Sequence, residues 1–104
     1  MFILLACGSG ASSGFMAERM RNAAKKMQLD ARIEAVSESE LEDYLEDADC
    51  ILLGPHLAYV QPVYAEMAAE YSVPVQCITQ EIYGNLDGER AIQEALACIA
   101  GKEG

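Results

Sequence analysis

Phe2-Ile3-Leu4-Leu5-Ala6-Cys7-Gly8-Ser9-Gly10-Ala11-Ser12-Ser13-Gly14 changes character halfway along, and that change decides the fold. Phe2 to Ala6 is a continuous apolar run, the pattern of a strand buried on both faces. Cys7 closes the run, and only small residues follow as far as Gly14. From Phe15 to Met27 the apolar positions Phe15, Met16, Met20, Ala23, Ala24 and Met27 recur at helical spacing, with Ser12 and Ser13 as natural N-caps. The cysteine therefore stands where a strand ends and a loop leads into a helix.

The alternation continues along the chain. Ala31 to Val36 alternates and ends at Ser37, predicting a second strand. Ser37 to Asp47 reads as an acidic helix with Leu41, Tyr44 and Leu45 on its inner face. Cys50 to Leu53 is a third strand, stopped by Gly54-Pro55, and Gly54 to Tyr59 is a loop. A helix from about Val60 to Glu70 carries Val63, Tyr64, Met67 and Ala68 inward. Val73 to Ile78 is a fourth strand, Thr79 to Leu86 a loop, and Asp87-Gly88 opens a last helix to about Ala100.

Strands alternating with helices predict an α/β fold: three αβα layers around a four-stranded parallel sheet. Right-handed crossovers with one reversal give the order 2-1-3-4. Ligands of such sheets bind beyond the carboxyl ends of the strands, at the reversal. Here that point lies between strands 1 and 3, and it brings the Cys7 loop to the loop Gly54 to Tyr59.

Composition narrows the function. The 104 residues suffice for one domain, residues 1–104, and the apolar fraction of 52% is that of a globular chain. No apolar stretch approaches the roughly 20 residues needed to span a bilayer, so no direct membrane insertion is expected. A net charge of −10, from 17 acidic and seven basic residues, excludes a nucleic-acid partner. The charges are also segregated. Arg19, Arg21, Lys25, Lys26 and Arg32 fall in one segment, and Glu38, Glu40, Glu42, Asp43, Glu46, Asp47 and Asp49 in the next. These are two solvated faces, or a basic end that attracts an anionic group or acidic partner.

Of the four cysteines, Cys50, Cys77 and Cys98 sit in apolar patterns and read as small hydrophobes, reduced and slow to alkylate. Leu4-Leu5-Ala6-Cys7 superficially resembles a lipid-attachment site. It lacks the basic leader and the run of about 7–15 apolar residues that such a signal requires.

The Cys7 loop suits anion chemistry. Backbone N–H groups of small residues can turn around one centre at a helix N-terminus, binding an anion without a charged side chain. The same field favours thiolate, drawing a cysteine pKa from about 8.5 toward roughly 3.5–7.5. Ser9, Ser12 and Ser13 add hydroxyl donors. The alternative is an ordinary tight turn with a buried cysteine. Low-molecular-weight tyrosine phosphatases place an arginine six residues after their nucleophile; here that position is Ser13. A loop without the guanidinium hydrolyses a phosphocysteine poorly, which suits a carrier rather than a phosphatase.

Three segments carry a resemblance across nearly the whole chain. Cys7-Gly8-Ser9-Gly10-Ala11-Ser12-Ser13 resembles the cysteine loop of the lactose/cellobiose (chitobiose)-type IIB components of the bacterial sugar phosphotransferase system, or PTS. Leu52-Leu53-Gly54-Pro55-His56-Leu57-Ala58-Tyr59 is similar to that family's leucine-glycine-proline-glutamine segment, and Tyr83-Gly84-Asn85-Leu86-Asp87-Gly88 to its tyrosine-glycine loop. The resemblance implies an architecture like that of low-molecular-weight tyrosine phosphatases and flavodoxin-like proteins. It also implies a phosphocysteine at Cys7, cradled by Gly8, Ser9, Gly10, Ala11, Ser12, Ser13 and Gly14. A phosphohistidine of a IIA protein would be the donor. The acceptor would be a sugar bound by the membrane-embedded IIC permease, such as cellobiose, lactose or chitobiose. The chain would then work in the cytoplasm, held at the inner face of the membrane through IIC. No cofactor or metal is implied. His56 departs from the family's usual glutamine. His56, Tyr59 and Tyr83 could each contact the phosphoryl group, or simply bond backbone or pack. Competing functions are a cysteine phosphatase-like hydrolase and a redox or interaction module centred on Cys7.

Overall fold

A computed structural model of the chain describes the backbone of residues 1–7 and 11–103 and the side chains of residues 1–6 and 14–101. The elements in order are β1 (Phe2–Cys7), α1 (Ala11–Lys26), β2 (Arg32–Ser37), a 3-10 helix η1 (Glu38–Tyr44), β3 (Cys50–Leu53), a 3-10 helix η2 (Pro55–Val60), α2 (Gln61–Ala69), β4 (Val75–Cys77), α3 (Gln80–Gly84) and α4 (Gly88–Glu103). All strand pairs are parallel, and the order is β2-β1-β3-β4. The expected reversal thus lies between β1 and β3.

Both faces of the sheet are covered, because neighbouring residues of a strand point to opposite sides. Ile3, Leu5, Cys50 and Leu52 face one layer, where Met16, Ala17, Met20 and Ala24 of α1 meet Ile82 of α3 and Ala91, Ile92 and Ala95 of α4. Leu4, Ala6, Ile51 and Leu53 face the other, against Leu41 and Leu45 from η1 and its following turn, Leu57 of η2 and Ala68 of α2. All eight strand residues are fully buried. That explains their unbroken apolar pattern: a strand covered on two faces has no solvent side on which to carry polar residues.

Several helical details differ from the sequence reading. The helix α1 already contains Ser12 and Ser13, so the capping position precedes them; their side chains lie outside the described residues. Its inner stripe is Met16, Met20 and Ala24 with Ala17, while Phe15 is 64% exposed and Met27 39%. On a helix each residue is turned by about 100° from the next, so Phe15 lies one step outside the stripe that Met16 begins. In α2 the same geometry buries Ala68, half-buries Tyr64 and Met67, and leaves Val63 exposed.

The acidic segment forms the shorter 3-10 helix η1, with Leu41 and Leu45 inward as expected and Tyr44 packed beside them. Its four carboxylates include Glu38 and Glu42, which a regular α-helix would stack as a repelling i,i+4 pair. The two segments read as loops also contain helical turns. Pro55 starts η2, and Thr79 caps α3 by accepting a hydrogen bond from the Ile82 N–H at 3.2 Å. The fourth strand is shorter than expected, spanning only Val75–Cys77.

One close approach fixes α1 against α4. A Cβ added at Gly88 would lie 2.4 Å from the backbone carbon and oxygen of Arg19 and 2.7 Å from the nitrogen of Met20. Only hydrogen fits there. Asp87 caps α4 alongside, its Oδ1 accepting from the Arg90 N–H at 3.1 Å.

Candidate functional site at the strand ends

The backbone gathers the predicted residues at the carboxyl edge of the sheet. Cys7 ends β1 and is paired in register with Ser37, the last residue of β2. On the other side Ala6 is paired with Leu53, and the Gly54 N–H donates to the Ala6 carbonyl at 2.9 Å. Gly54 in turn accepts from the Leu57 N–H at 2.9 Å, which folds η2 over the strand ends. The expected meeting of the Cys7 strand end with the Gly54 to Tyr59 segment is thus present. The N-terminus of α1 follows Cys7 closely, its partial positive charge at the same edge. The Cys7 side chain, all of Gly8, Ser9 and Gly10, and the side chains of Ala11, Ser12 and Ser13 lie outside the described residues; Gly14 is exposed within α1.

His56 and Tyr83 are brought together by the fold. Their rings lie edge-on, with centroids 5.9 Å apart and planes at 67°. His56 is exposed on η2, and Tyr83 on α3 is half-buried against the α1 and α4 layer. This pair joins two connections that leave β3 and β4 at the same end of the sheet. Tyr59 is 77% exposed, so the packing role open to it in the sequence is not the one it takes.

Two residues at this edge were missed. Ser37 donates from Oγ to Glu40 Oε1 at 2.8 Å and lies 3.0 Å from Ser39 Oγ, so the strand end beside Cys7 carries a short hydroxyl and carboxylate chain. Cys77 ends β4, and its Sγ donates to the Gly54 carbonyl at 3.6 Å. Its half-burial, rather than full burial, comes from that terminal position. Each is the last residue of its strand, which is the signal that could have found them.

The three described cysteines are free thiols. Burial, with the neighbouring Cys98 and then Asp49, pushes the Cys50 thiol up to about 12. Burial also raises Cys77 and Cys98. In each case the shift favours the protonated thiol over the thiolate.

Charge is divided between the two faces. Arg21 and Arg32 pair with Glu34 at 3.8 and 3.3 Å. Arg19, Lys25 and Lys26 are exposed on α1 and have no ion pair among the described residues. A cavity of about 390 Å³ between α1 and the start of α4 takes Arg19 and Lys26 on one wall and Asp87 and Glu89 on the other, so its charges offset. Among the described residues no helix is long and apolar enough to cross a membrane.

The sequence model of the family described as the lactose/cellobiose-specific IIB subunit of the PTS matches residues 2–94. The chain belongs to this IIB family. It is 31% identical over 97 residues to the oligo-beta-mannoside-specific EIIB component of Bacillus subtilis (strain 168), covering 93% of this chain and 94% of the relative. It is 30% identical over 98 residues to the cellobiose-specific EIIB component of Lactococcus lactis subsp. lactis (strain IL1403), covering 89% and 91%. The solution structure of a cellobiose-specific IIB component from Borrelia burgdorferi superposes with a TM-score of 0.80 at 30% identity, covering 98% of this chain and 94% of the other. A lactose-specific IIB domain from Streptococcus pneumoniae shares the fold, with a TM-score of 0.82 at 14% identity over 91% and 96% of the two chains. This IIB chain is therefore a phosphotransferase component of sugar uptake for sugars of the lactose and cellobiose type.

Proposed function

We propose that Cys7 carries the phosphoryl group of this IIB chain, taking it from a phosphohistidine of a IIA protein and passing it to a sugar held by a membrane-embedded IIC permease. The observation that carries this reading is the position of Cys7. It is the last residue of β1, beside Gly54 and Ser37 at the topological reversal, immediately before the approach to the α1 N-terminus. In the first step the Cys7 thiolate attacks phosphorus, the N–P bond breaks and an S–P bond forms. In the second a sugar hydroxyl attacks the same phosphorus, an O–P bond forms as the S–P bond breaks, the hydroxyl proton passes to solvent and the thiolate leaves. A thiolate is both a good nucleophile and a good leaving group near neutral pH, so this domain needs no general acid. Backbone N–H groups between Gly8 and Gly14 are the donors we assign to the phosphoryl oxygens, with His56 as an additional donor and Tyr59 and Tyr83 at the margin. A β-linked disaccharide is the sugar this reading favours. The single domain, residues 1–104, works at the inner face of the membrane through its permease.

The test is Cys7→Ser. Radiolabelled phosphoenolpyruvate, with the general phosphotransferase proteins and IIA, should label the wild type on the Cys7 peptide and not label the variant. A serine alkoxide is hard to form without a base, and its phosphoester is too stable to hand on. The fold should survive, as judged by an unchanged circular dichroism spectrum. Sugar phosphorylation by Cys7→Ser at the wild-type rate, or stable label on His56, would overturn the assignment. Rapid hydrolysis of an aryl phosphate by the wild type would favour the phosphatase alternative.

A further inference from the structure

The sheet face covered by η1, η2 and α2 carries an exposed row that starts at the relay site and runs beyond it. His56, Tyr59 and Val63 follow at spacings of three and four, matching the turn of η2 and then of α2, and all three are exposed. Tyr59 is 77% exposed and Val63 56%. The row begins two residues beyond Gly54, so it runs outward from the strand ends next to Cys7. An exposed tyrosine is anchor material for a partner, tyrosine being enriched among residues that dominate interface energies, and Val63 extends the apolar surface beside it.

The surroundings of this row define the partner's chemistry. No lysine or arginine occurs between Arg32 and Arg90, so η1, η2 and α2 contribute no fixed positive charge to this face. Glu40, Glu42, Asp43, Glu46 and Asp47 are all exposed on and after η1. Tyr44, Val60 and Tyr64 pack on the same core cluster as Leu41, Leu57 and Ala68, so η1, η2 and α2 adjoin on this face. Such a surface repels an anionic lipid leaflet and attracts a basic protein. Cytoplasmic loops of membrane proteins carry an excess of lysine and arginine.

We propose that the exposed row Tyr59 and Val63, with the carboxylates of η1 around it, docks the basic cytoplasmic loops of the permease that receives the phosphoryl group. This rests on the relay reading above and assigns the acceptor step to one face of the sheet. Charge complementarity steers the encounter, and the apolar side chains hold it.

Val63→Arg and Glu42→Lys test it, since both positions are exposed and their melting temperatures should stay close to that of the wild type. In sugar phosphorylation by permease-bearing membrane vesicles, each variant should raise KM for the IIB chain about tenfold with kcat nearly unchanged. For Glu42→Lys the salt dependence should also flatten. Labelling of Cys7 by phosphorylated IIA should keep its wild-type rate. Co-sedimentation with the same vesicles should fall in parallel, and protein-free vesicles of anionic lipid should bind none of the chains. Wild-type KM in both variants would overturn the proposal. So would a loss confined to labelling by IIA, which would give this face to the donor, or binding to the protein-free vesicles. If the wild type takes no label at Cys7, the relay reading fails, and co-sedimentation still decides the docking face.

Discussion

Replacing Gly88 by alanine tests the packing that sets α1 beneath the strand ends. The added Cβ would meet the Arg19 carbonyl carbon and oxygen at 2.4 Å and the Met20 nitrogen at 2.7 Å. Ordinary contact begins about 1 Å further out, and backbone atoms cannot swing aside as a side-chain end can, so α1 and α4 must part locally. Overpacking of this kind costs about 1–3 kcal/mol. The gain in helix propensity from removing a glycine, at most about 1 kcal/mol in a helix interior, is smaller at the first turn where Gly88 sits. A net loss near 2 kcal/mol should lower the melting temperature by roughly 8–16 °C in a domain of this size. Gly101→Ala is the matched control: it lies in the same helix, nothing stands within 4 Å of its added Cβ, and it should gain about 0.5 kcal/mol. Thermal unfolding followed by circular dichroism at 222 nm reads both. If Gly88→Ala melts at or above the wild-type temperature while Gly101→Ala behaves as expected, the α1 and α4 contact does not constrain the fold as argued.

The Cys50 thiol, pushed up to about 12 chiefly by burial, makes stability depend on alkaline pH. The unfolded thiol ionises near its ordinary value while the folded one keeps its proton, so stability is flat below about pH 9 and falls as pH rises above it. Urea midpoints across that range should fall less steeply in Cys50→Ala than in the wild type, and identical slopes would refute this. Gln28, at φ 55°, ends the turn after α1 in the left-handed region, with the Leu29 N–H closing on the Ala24 carbonyl at 2.9 Å. Gln28→Gly should therefore stabilise the chain by up to about 1 kcal/mol, read as a raised urea midpoint.

The sheet was legible because each parallel strand is a short unbroken apolar run, and the order then follows from handed crossovers and one reversal. The burial of Cys50 was legible for the same reason. Short helices were not. The α3 segment has five residues, too few for a period to emerge, and only its Thr79 cap announces it. The orientation of Phe15 and Val63 was lost because both adjoin apolar residues that are inside, and periodicity alone cannot choose between neighbours when a layer covers only part of the helix. Ser37 and Cys77 come to the site through cross-strand register, which leaves no mark within either local segment. The place of Cys7 at the end of β1 was legible because the apolar run stops there and only small residues follow.

Parallel pairing also accounts for what surrounds Cys7 at the strand ends. All four carboxyl ends meet on one edge, while the connections leave that edge for opposite faces. The helix α1 leaves toward one face and carries Arg19, Lys25 and Lys26 along its length away from that edge, while η1 leaves β2 toward the other with Glu38, Glu40, Glu42 and Asp43. Cys7 ends a central strand on the seam between them. On the relay reading, a phosphoryl group at Cys7 is a dianion with the α1 N-terminus on one side and the carboxylates of η1 on the other. Each 1.4 kcal/mol by which the site stabilised the phospho form would lower onward transfer at equilibrium tenfold. A guanidinium at the position of Ser13 would bind the dianion tightly and would also favour attack by water. On the relay reading, backbone donors without a guanidinium would hold it only long enough to be passed on, and the different faces beside Cys7 would let two partners of different chemistry reach one atom in turn.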